Sequence, residues 1–333
     1  NNISLPEMLS GMMAPPCLFS VILLASSDWG FKLGRPHQIA RHLGLMGHPV
    51  YYVYPDLAEG EGQAGYQILG SSSPNVWVTQ FHSVGRATSI HDHCVADVIK
   101  DDLVAALQQL CKDKNLIAPA VLVYCSTWLR VAVEFGGGPL ILDLSCESTR
   151  QEKGITADVE NAVTLGWADK VVSALDWPDN RKNVPRAQVI IPDGVEVDLF
   201  KVAVGRIDPK QQGSQMRVGY IGRVMQWFDI KLLIASALAY PDWRFIVAGA
   251  IDEPLAEEIL PPNVILLGDR ASCEIPNLVA SMDVCIVPVK KGQENDALTS
   301  PVIYEYLSAG KPVVTTARPC LDDLASLVSV AEA

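Results

Sequence analysis

The chain has 333 residues, 49% of them hydrophobic and 19% charged, with a formal net charge of −12. That composition excludes a disordered chain and leaves room for two domains, each with its own core. The acidic balance argues against nucleic acid as the main partner and against docking on a strongly anionic membrane.

Residues 1–15, with Pro6, Gly11 and Pro15, read as a poorly ordered lead-in. The apolar run from Cys17 to Ala25 is about nine residues, against the roughly 20 that a membrane span needs. Polar Ser26-Ser-Asp28 follows it and no basic region precedes it, so it reads as a buried strand and not as a signal peptide. Further short apolar strands are expected at Val50–Tyr54, Val76–Gln80, Ala120–Tyr124, Leu140–Leu144, Lys170–Ala174 and Gln188–Ile191. Helical patterns at Pro36–Leu45, Val95–Leu110 and Ala157–Gly166 lie between them. The polar stretch Lys201–Gln215, with Gly205, Pro209 and Gly213, breaks the rhythm and reads as a linker. The alternation restarts with strands at Met216–Ile221, Arg244–Ala248, Asn263–Leu267, Val284–Val287 and Val313–Thr316. Short apolar strands separated by helices predict an α/β chain of two Rossmann-like, doubly wound parallel-sheet domains, residues 1–200 and 201–333.

The 8 cysteines form no Cys-x-x-Cys, and Cys17, Cys125 and Cys285 border or interrupt apolar runs, so they read as free thiols in a reducing cytoplasm. The first strand runs into Ser26–Gly34 without a Gly-x-Gly-x-x-Gly, which counts against a nicotinamide-dependent enzyme. No Gly-x-Ser-x-Gly elbow is present for a nucleophilic serine. His91-Asp-His-Cys94 lacks the spacing of a zinc pair and has no second half, so no metal site is expected. His82, after the third strand, is a further candidate that no motif fixes.

The stretch Leu298-Thr-Ser-Pro-Val-Ile-Tyr-Glu-Tyr-Leu-Ser-Ala-Gly-Lys-Pro-Val-Val-Thr-Thr316 carries the most chemistry. Ser300 suits an N-cap and Pro301 the first helical position. Gly310 stops the helix and Pro312–Thr316 resumes as a strand. A helix start of this kind can hold a phosphate through its free N–H groups and dipole. Glu305 sits four residues past Pro301, roughly 6 Å along the axis at about 1.5 Å per residue, within reach of a ribose beside that phosphate.

The segment resembles the nucleotide-sugar signature of the retaining GT-B glycosyltransferases called group 1. Four more pieces of the chain, in the same order as in that family, extend the resemblance. Arg35-Pro-His-Gln38 is similar to the helix entry of a subset that builds bacterial cell-surface polysaccharides of the teichuronic-acid type. Ala168-Asp169 through Ser173 and Ile191-Pro-Asp-Gly-Val195 through Phe200 resemble two further family motifs. Gly222-Arg223 follows the strand that opens the second domain, and Met225-Gln-Trp-Phe-Asp229 is similar to the same polysaccharide subset.

The resemblance implies a fold of two domains facing across a cleft, with the acceptor on residues 1–200 and the donor on residues 201–333. It implies transfer of a sugar from a nucleotide-sugar to an acceptor hydroxyl, retaining and metal-independent, with no cofactor. On the donor side, Gly222 and Arg223 would meet the diphosphate and Glu305 the ribose. The Leu267–Arg270 loop would meet the base, and Leu298, Thr299 and Ser300 would add backbone N–H groups. The family's Lys a few residues after the Arg is absent: Phe228 and Asp229 stand there, and Lys290 or Lys291 could replace it. The family's acidic residue eight positions before the ribose-binding Glu falls on Ala297, so Asp296 is the substitute candidate. Arg35, His37 and Asp143 are the acceptor-side or cleft candidates, with Asp143 a possible carboxylate for catalysis beside Arg223 and Asp296. Glu147 is displaced by one from a second family acid.

A nucleotide-sugar epimerase of the same two-domain plan and a non-catalytic nucleotide-sugar-binding subunit remain as alternatives. Members of the resembling family run on past the Val328 region, so a C-terminally truncated second domain is expected. Lys32, Arg35 and Arg41 motivate a peripheral contact with the inner face of a membrane carrying a lipid-linked acceptor.

Overall fold

The computed structural model describes residues 18–29, 34–60, 63–84, 88–89, 99–144, 166–174, 188–206, 215–252, 258–291, 301–317, 321 and 324–331. The chain divides into two compact units, and among the described residues 18–29 with 34–191 make the first and 192–331 the second.

The first unit contains strands β1 (Val21–Leu24), β2 (Val50–Val53), β3 (Asp56–Gly60), β4 (Gly65–Ser73), β5 (Val76–Val84) and β6 (Thr88–Ser89). It continues with β7 (Ala120–Val123), β8 (Leu140–Asp143), β9 (Lys170–Ser173) and β10 (Gln188–Ile190). Its helices are α1 (Arg35–Leu45), α2 (Lys100–Lys114) and α3 (Ser126–Phe135). The ten strands form one sheet in the order β10-β9-β8-β7-β1-β2-β5-β3-β6, with β4 pairing β5 off that path. From β10 to β5 every neighbour is parallel. The order runs outward from β1 in both directions, so the switch point of the sheet lies between β1 and β7. Val21–Leu24 is wholly buried, as a strand covered on both faces must be.

Every strand expected in this half is present, but β3, β4 and β6 were not foreseen. β4 and β5 form an antiparallel hairpin turned at Pro74-Asn75, paired from Val76 to His82, with Asn75 in the left-handed region at φ 57°. Asn75 suits that conformation, and its amide also donates to the Gly44 carbonyl, 3.0 Å away. The expected helix Val95–Leu110 is present as α2, running to Lys114; residues 95–98 and the expected helix start at 157–165 lie outside the described residues.

The second unit contains α4 (Val197–Gly205), β11 (Arg217–Ile221), α5 (Ile230–Ala239), β12 (Arg244–Ala248), β13 (Val264–Gly268) and α6 (Ile275–Ala280). It ends with β14 (Val284–Val287), α7 (Pro301–Ser308), β15 (Val313–Thr316) and β16 (Ser329–Ala331). Its six strands are all parallel in the order β13-β12-β11-β14-β15-β16. The switch point therefore lies between β11 and β14.

The stretch 201–215, read as a linker, begins inside α4. Phe200 and Ala203 of that helix are buried, and Phe200 packs in one cluster with Ile221, Val302 and Tyr306. Two apolar side chains one turn apart on an otherwise exposed helix are what attach α4 to the second unit, and the unit boundary falls between Ile191 and Pro192. Among the described residues no helix is long and apolar enough to cross a membrane.

Candidate functional site

In an open parallel sheet, ligands bind beyond the carboxyl ends of the strands at the switch point. In the second unit that place is built by the loops after β11 and β14 together with α7. Pairing of β11 with β14 runs over Val218↔Val284 and Gly219↔Cys285 only. Past it, the Ile221 N–H donates to the Tyr306 hydroxyl at 2.8 Å, so a side chain of α7 takes the place of a ladder partner. Tyr306 is fully buried, and burial pushes its phenol well above the ordinary value of 10.0, which keeps it a neutral hydroxyl. Val302, Ile303 and Tyr306 form the buried face of α7, and Glu305, the next residue along from that face, is half-buried. Tyr306 is a site-building residue that reading the sequence missed. Its signal was an aromatic residue on the apolar face of the helix.

The loop after β11 is held on its other side by the loop after β12. Gly222 N–H donates to Ala248 O at 2.8 Å, Val224 N–H to Ala250 O at 2.8 Å, and Asp252 N–H returns to Val224 O at 2.9 Å. Gly249 has φ +136°, and a Cβ there would stand 2.2 Å from the Gly222 carbonyl oxygen, so only glycine fits. The Arg223 side chain crosses the same gap: its Nε and Nη2 both lie 2.8 Å from Asp252 Oδ1. Arg223 itself is 61% exposed. The Tyr220 hydroxyl donates to the Arg223 carbonyl at 2.9 Å, fixing the backbone beneath the guanidinium.

On the β14 side, Phe228 bridges Val289 and Lys290 N–H donates to Trp227 O at 2.9 Å. The Lys290 ammonium donates to Gln226 O at 2.8 Å, which brings it onto the loop that carries Arg223. Thr316 closes the set: its hydroxyl donates to Val289 O at 2.7 Å and accepts from Val289 N–H at 3.1 Å. Phe228 is completely buried, and Asp229 caps α5 by accepting from Leu232 N–H at 2.9 Å. The Trp-Phe-Asp text is thus read locally as a core aromatic and a helix cap. Arg270 lies after β13, with Nη2 donating to Leu267 O at 2.7 Å. Asp296, Leu298, Thr299 and Ser300, with Ala297, lie outside the described residues.

In the first unit the sequence candidates Arg35, His37 and Asp143 do come together around the start of α1. Asp143 ends β8 and accepts from Arg35 Nε at 2.8 Å, with the side chains only 4% and 10% exposed. His37 is wholly buried. Its Nδ1 accepts from Gly34 N–H at 3.1 Å, which assigns the ring proton to Nε2, 2.7 Å from Asp28 O and 3.0 Å from the Tyr52 hydroxyl. Burial lowers its pKa from 6.5, against the raising pull of those backbone bonds. Both ring nitrogens are engaged, Nδ1 in the cap of α1 and Nε2 with Asp28 and Tyr52, so His37 shapes the place from beneath. His82 lies within β5, opposite Ala58 and Gly65. The His91–Cys94 and Glu147 candidates lie outside the described residues. Among the described cysteines, Cys111, Cys125, Cys273 and Cys285 are free thiols.

Comparison with known proteins agrees with this architecture. In solved structures, sucrose-phosphate synthase from Thermosynechococcus elongatus superposes with a TM-score of 0.65 at 16% identity, covering 94% of this chain and 85% of that one. Anabaena HepE, in complex with UDP and glucose, gives 0.64 at 16% identity with the same coverage. The catalytic domain of starch synthase IV from Arabidopsis thaliana, bound to ADP and acarbose, gives 0.61 at 11% identity over 92% of this chain and 84% of that one. The fold is that of the GT-B glycosyltransferases. Residues 202–327 match the family described as "Glycosyl transferases group 1". A protein of Bacillus subtilis (strain 168), provisionally named as the teichuronic acid biosynthesis glycosyltransferase TuaH, is 31% identical over 165 residues, 46% of this chain. The match spans 41% of the length of TuaH, less than half of that relative.

Proposed function

We propose that the protein moves a sugar from a nucleotide-sugar donor to an acceptor hydroxyl, with the donor on the second unit and the acceptor on the first. The observation that carries this reading is the convergence of Arg223, Lys290 and the Glu305 helix on the carboxyl ends of β11 and β14, locked by Tyr306 and Thr316. Arg223 offers a planar donor fork to a diphosphate, and Lys290 a second positive charge from the neighbouring loop. The N–H groups opening α7 add partial positive charge of fixed direction. Together these take up the charge that develops on the departing nucleotide, which is where such a transfer needs most stabilisation, so the step calls for no metal ion. Glu305, one turn into α7, accepts from the ribose hydroxyls. Leu267–Arg270 would lie against the base and Gly222 would let the phosphate approach the backbone.

The reaction is taken as retaining, with the leaving group and the incoming hydroxyl on the same face of the sugar. Assembly of a cell-surface polysaccharide or glycoconjugate follows from the likeness to TuaH. The Arg35–Asp143 pair at the carboxyl end of β8 is the acceptor-side feature, and Asp143 its candidate carboxylate. We place the work in the cytoplasm; of the basic residues that motivated a membrane contact, Arg35 is committed to Asp143 and Lys32 lies outside the described residues.

A binding-only subunit is the second reading. It is favoured by Phe228 and Asp229, which hold core and cap positions where the resembling family often has a lysine. The test is a thermal-shift panel of UDP, GDP, ADP and their sugar conjugates, with Glu305→Ala beside the wild type. A ligand at 100 times its Kd adds about 2.7 kcal/mol. One nucleotide class should stabilise the wild type and lose its effect in the variant. No response to any nucleotide would overturn the reading, and stabilisation by a sugar nucleotide without turnover would favour the subunit.

A further inference from the structure

We infer that Asp252 is a positioning residue for the donor diphosphate and acts only through Arg223. The inference rests on the donor-site reading above and adds to it a residue that carries the opposite charge to the one a phosphate site is expected to contain.

The geometry is specific. Asp252 Oδ1 receives both Nε and Nη2 of Arg223 at 2.8 Å, so one edge of the guanidinium is occupied. The other edge, with Nη1, is not engaged by the carboxylate, and the side chain as a whole is 61% exposed. Asp252 is itself held: its N–H donates to Val224 O, and Val224 N–H to Ala250 O, so the residue lies on a short bridge between the loops after β11 and β12. Gly249 against Gly222 brings those loops so close that their spacing cannot drift. The carboxylate is 24% exposed and belongs to a rigid frame, whereas Arg223 is a long, rotamer-rich side chain. A free arginine at this place would sample many rotamers and present its fork to a phosphate in few of them. The carboxylate selects one rotamer before the ligand arrives, and binding then costs less ordering.

Two opposite signs make the inference testable. If Asp252 were only a nearby negative charge, its removal would tighten binding of any anion. If it orients Arg223, its removal weakens binding of a ligand that Arg223 touches and leaves other ligands alone. The measurement is titration calorimetry of the full chain with the nucleoside diphosphate among UDP, GDP and ADP that binds, and with the matching nucleoside. The variants are Asp252→Ala, Asp252→Asn, Arg223→Ala and Arg223→Ala/Asp252→Ala, each first shown to unfold at the wild-type temperature within about 2 °C, a small fraction of the folding free energy.

The expected result is a roughly tenfold weaker diphosphate Kd in Asp252→Ala. Asp252→Asn, which keeps the acceptor oxygen, should fall between it and the wild type. The nucleoside should bind all variants alike. Asp252→Ala should have no further effect once Arg223 is gone, a full coupling in the double-mutant cycle. Tighter or unchanged binding in Asp252→Ala, or a loss that persists in the Arg223→Ala background, overturns the inference. Wild-type protein that binds no nucleotide, or Arg223→Ala that binds as well as wild type, overturns the donor-site reading as well. The two failures are thereby distinguished.

Discussion

Replacing Tyr306 with Phe removes one oxygen atom from the middle of the second unit. The ring, its rotamer and its packing with Ile221, Val302 and Phe200 are kept, so no cavity larger than a hydroxyl opens. What is lost is the acceptor of the Ile221 N–H, at 2.8 Å, in a strand whose pairing with β14 has already ended two residues earlier. A buried donor left without an acceptor costs about 1–3 kcal/mol. For a unit of about 140 residues, unfolding entropy of about 2.1 cal/mol/K per residue converts that to a fall of roughly 3–10 °C in Tm. The assay is differential scanning calorimetry of wild type and Tyr306→Phe, followed by nucleotide titration. The strand end that Tyr306 holds carries Gly222 and Arg223 one and two residues on, so nucleotide affinity should fall together with Tm. An unchanged Tm, within about 1 °C, would refute the account of Tyr306 as a surrogate ladder partner. A lower Tm with unchanged affinity would refute its role in placing Arg223.

Gly249→Ala should lower the stability of the second unit by at least about 2 kcal/mol. The methyl group would stand 2.2 Å from the Gly222 oxygen at a φ that strains any side chain, and urea denaturation reads the loss as a lower midpoint. His37 sets an acid limit for the first unit. Its pKa is lowered in the folded state, so the unfolded chain binds the extra proton; the stability it contributes is complete above about 6.5 and is lost as the pH falls from there towards the folded value. Urea midpoints between pH 7 and 5 should fall less steeply in His37→Asn than in the wild type, and equal slopes would refute the assignment.

The strands were legible because parallel strands covered on both faces must be continuous apolar runs, and twelve such runs stand out from Leu18 to Thr316. β3 and β4 were not, because strands at the exposed margin of the sheet need no such run: Gln67 to Gly70 is exposed in β4, and Asp56 and Glu59 of β3 face solvent. The linker reading at 201–215 missed the helix at its start, where α4 runs to Gly205, for a related reason. Two residues, Phe200 and Ala203, suffice to pin α4, and two residues make no pattern. In the site, charged residue types could be named from the sequence as candidates, but their partners could not. Asp252 lies 29 positions from Arg223 and Asp143 lies 108 from Arg35, and only the order of strands in each sheet brings them together. His37 was visible as a histidine at a helix start, while its burial and its bonds to Asp28 O and the Tyr52 hydroxyl depend on how the segment after β1 and the strand β2 pack, which the local sequence does not describe.

The contact of Gly249 with the Gly222 carbonyl also bears on redesign. Because one loop has no room for a side chain and the other supplies the oxygen that fills that room, the segments after β11 and β12 form a single inseparable piece. A transplanted segment after β12 with any side chain at 249 would collide with the resident Gly222 carbonyl. An engineer who wished to graft these loops would do best to carry 222–229 and 249–252 across as a pair, as one would replace both halves of a hinge.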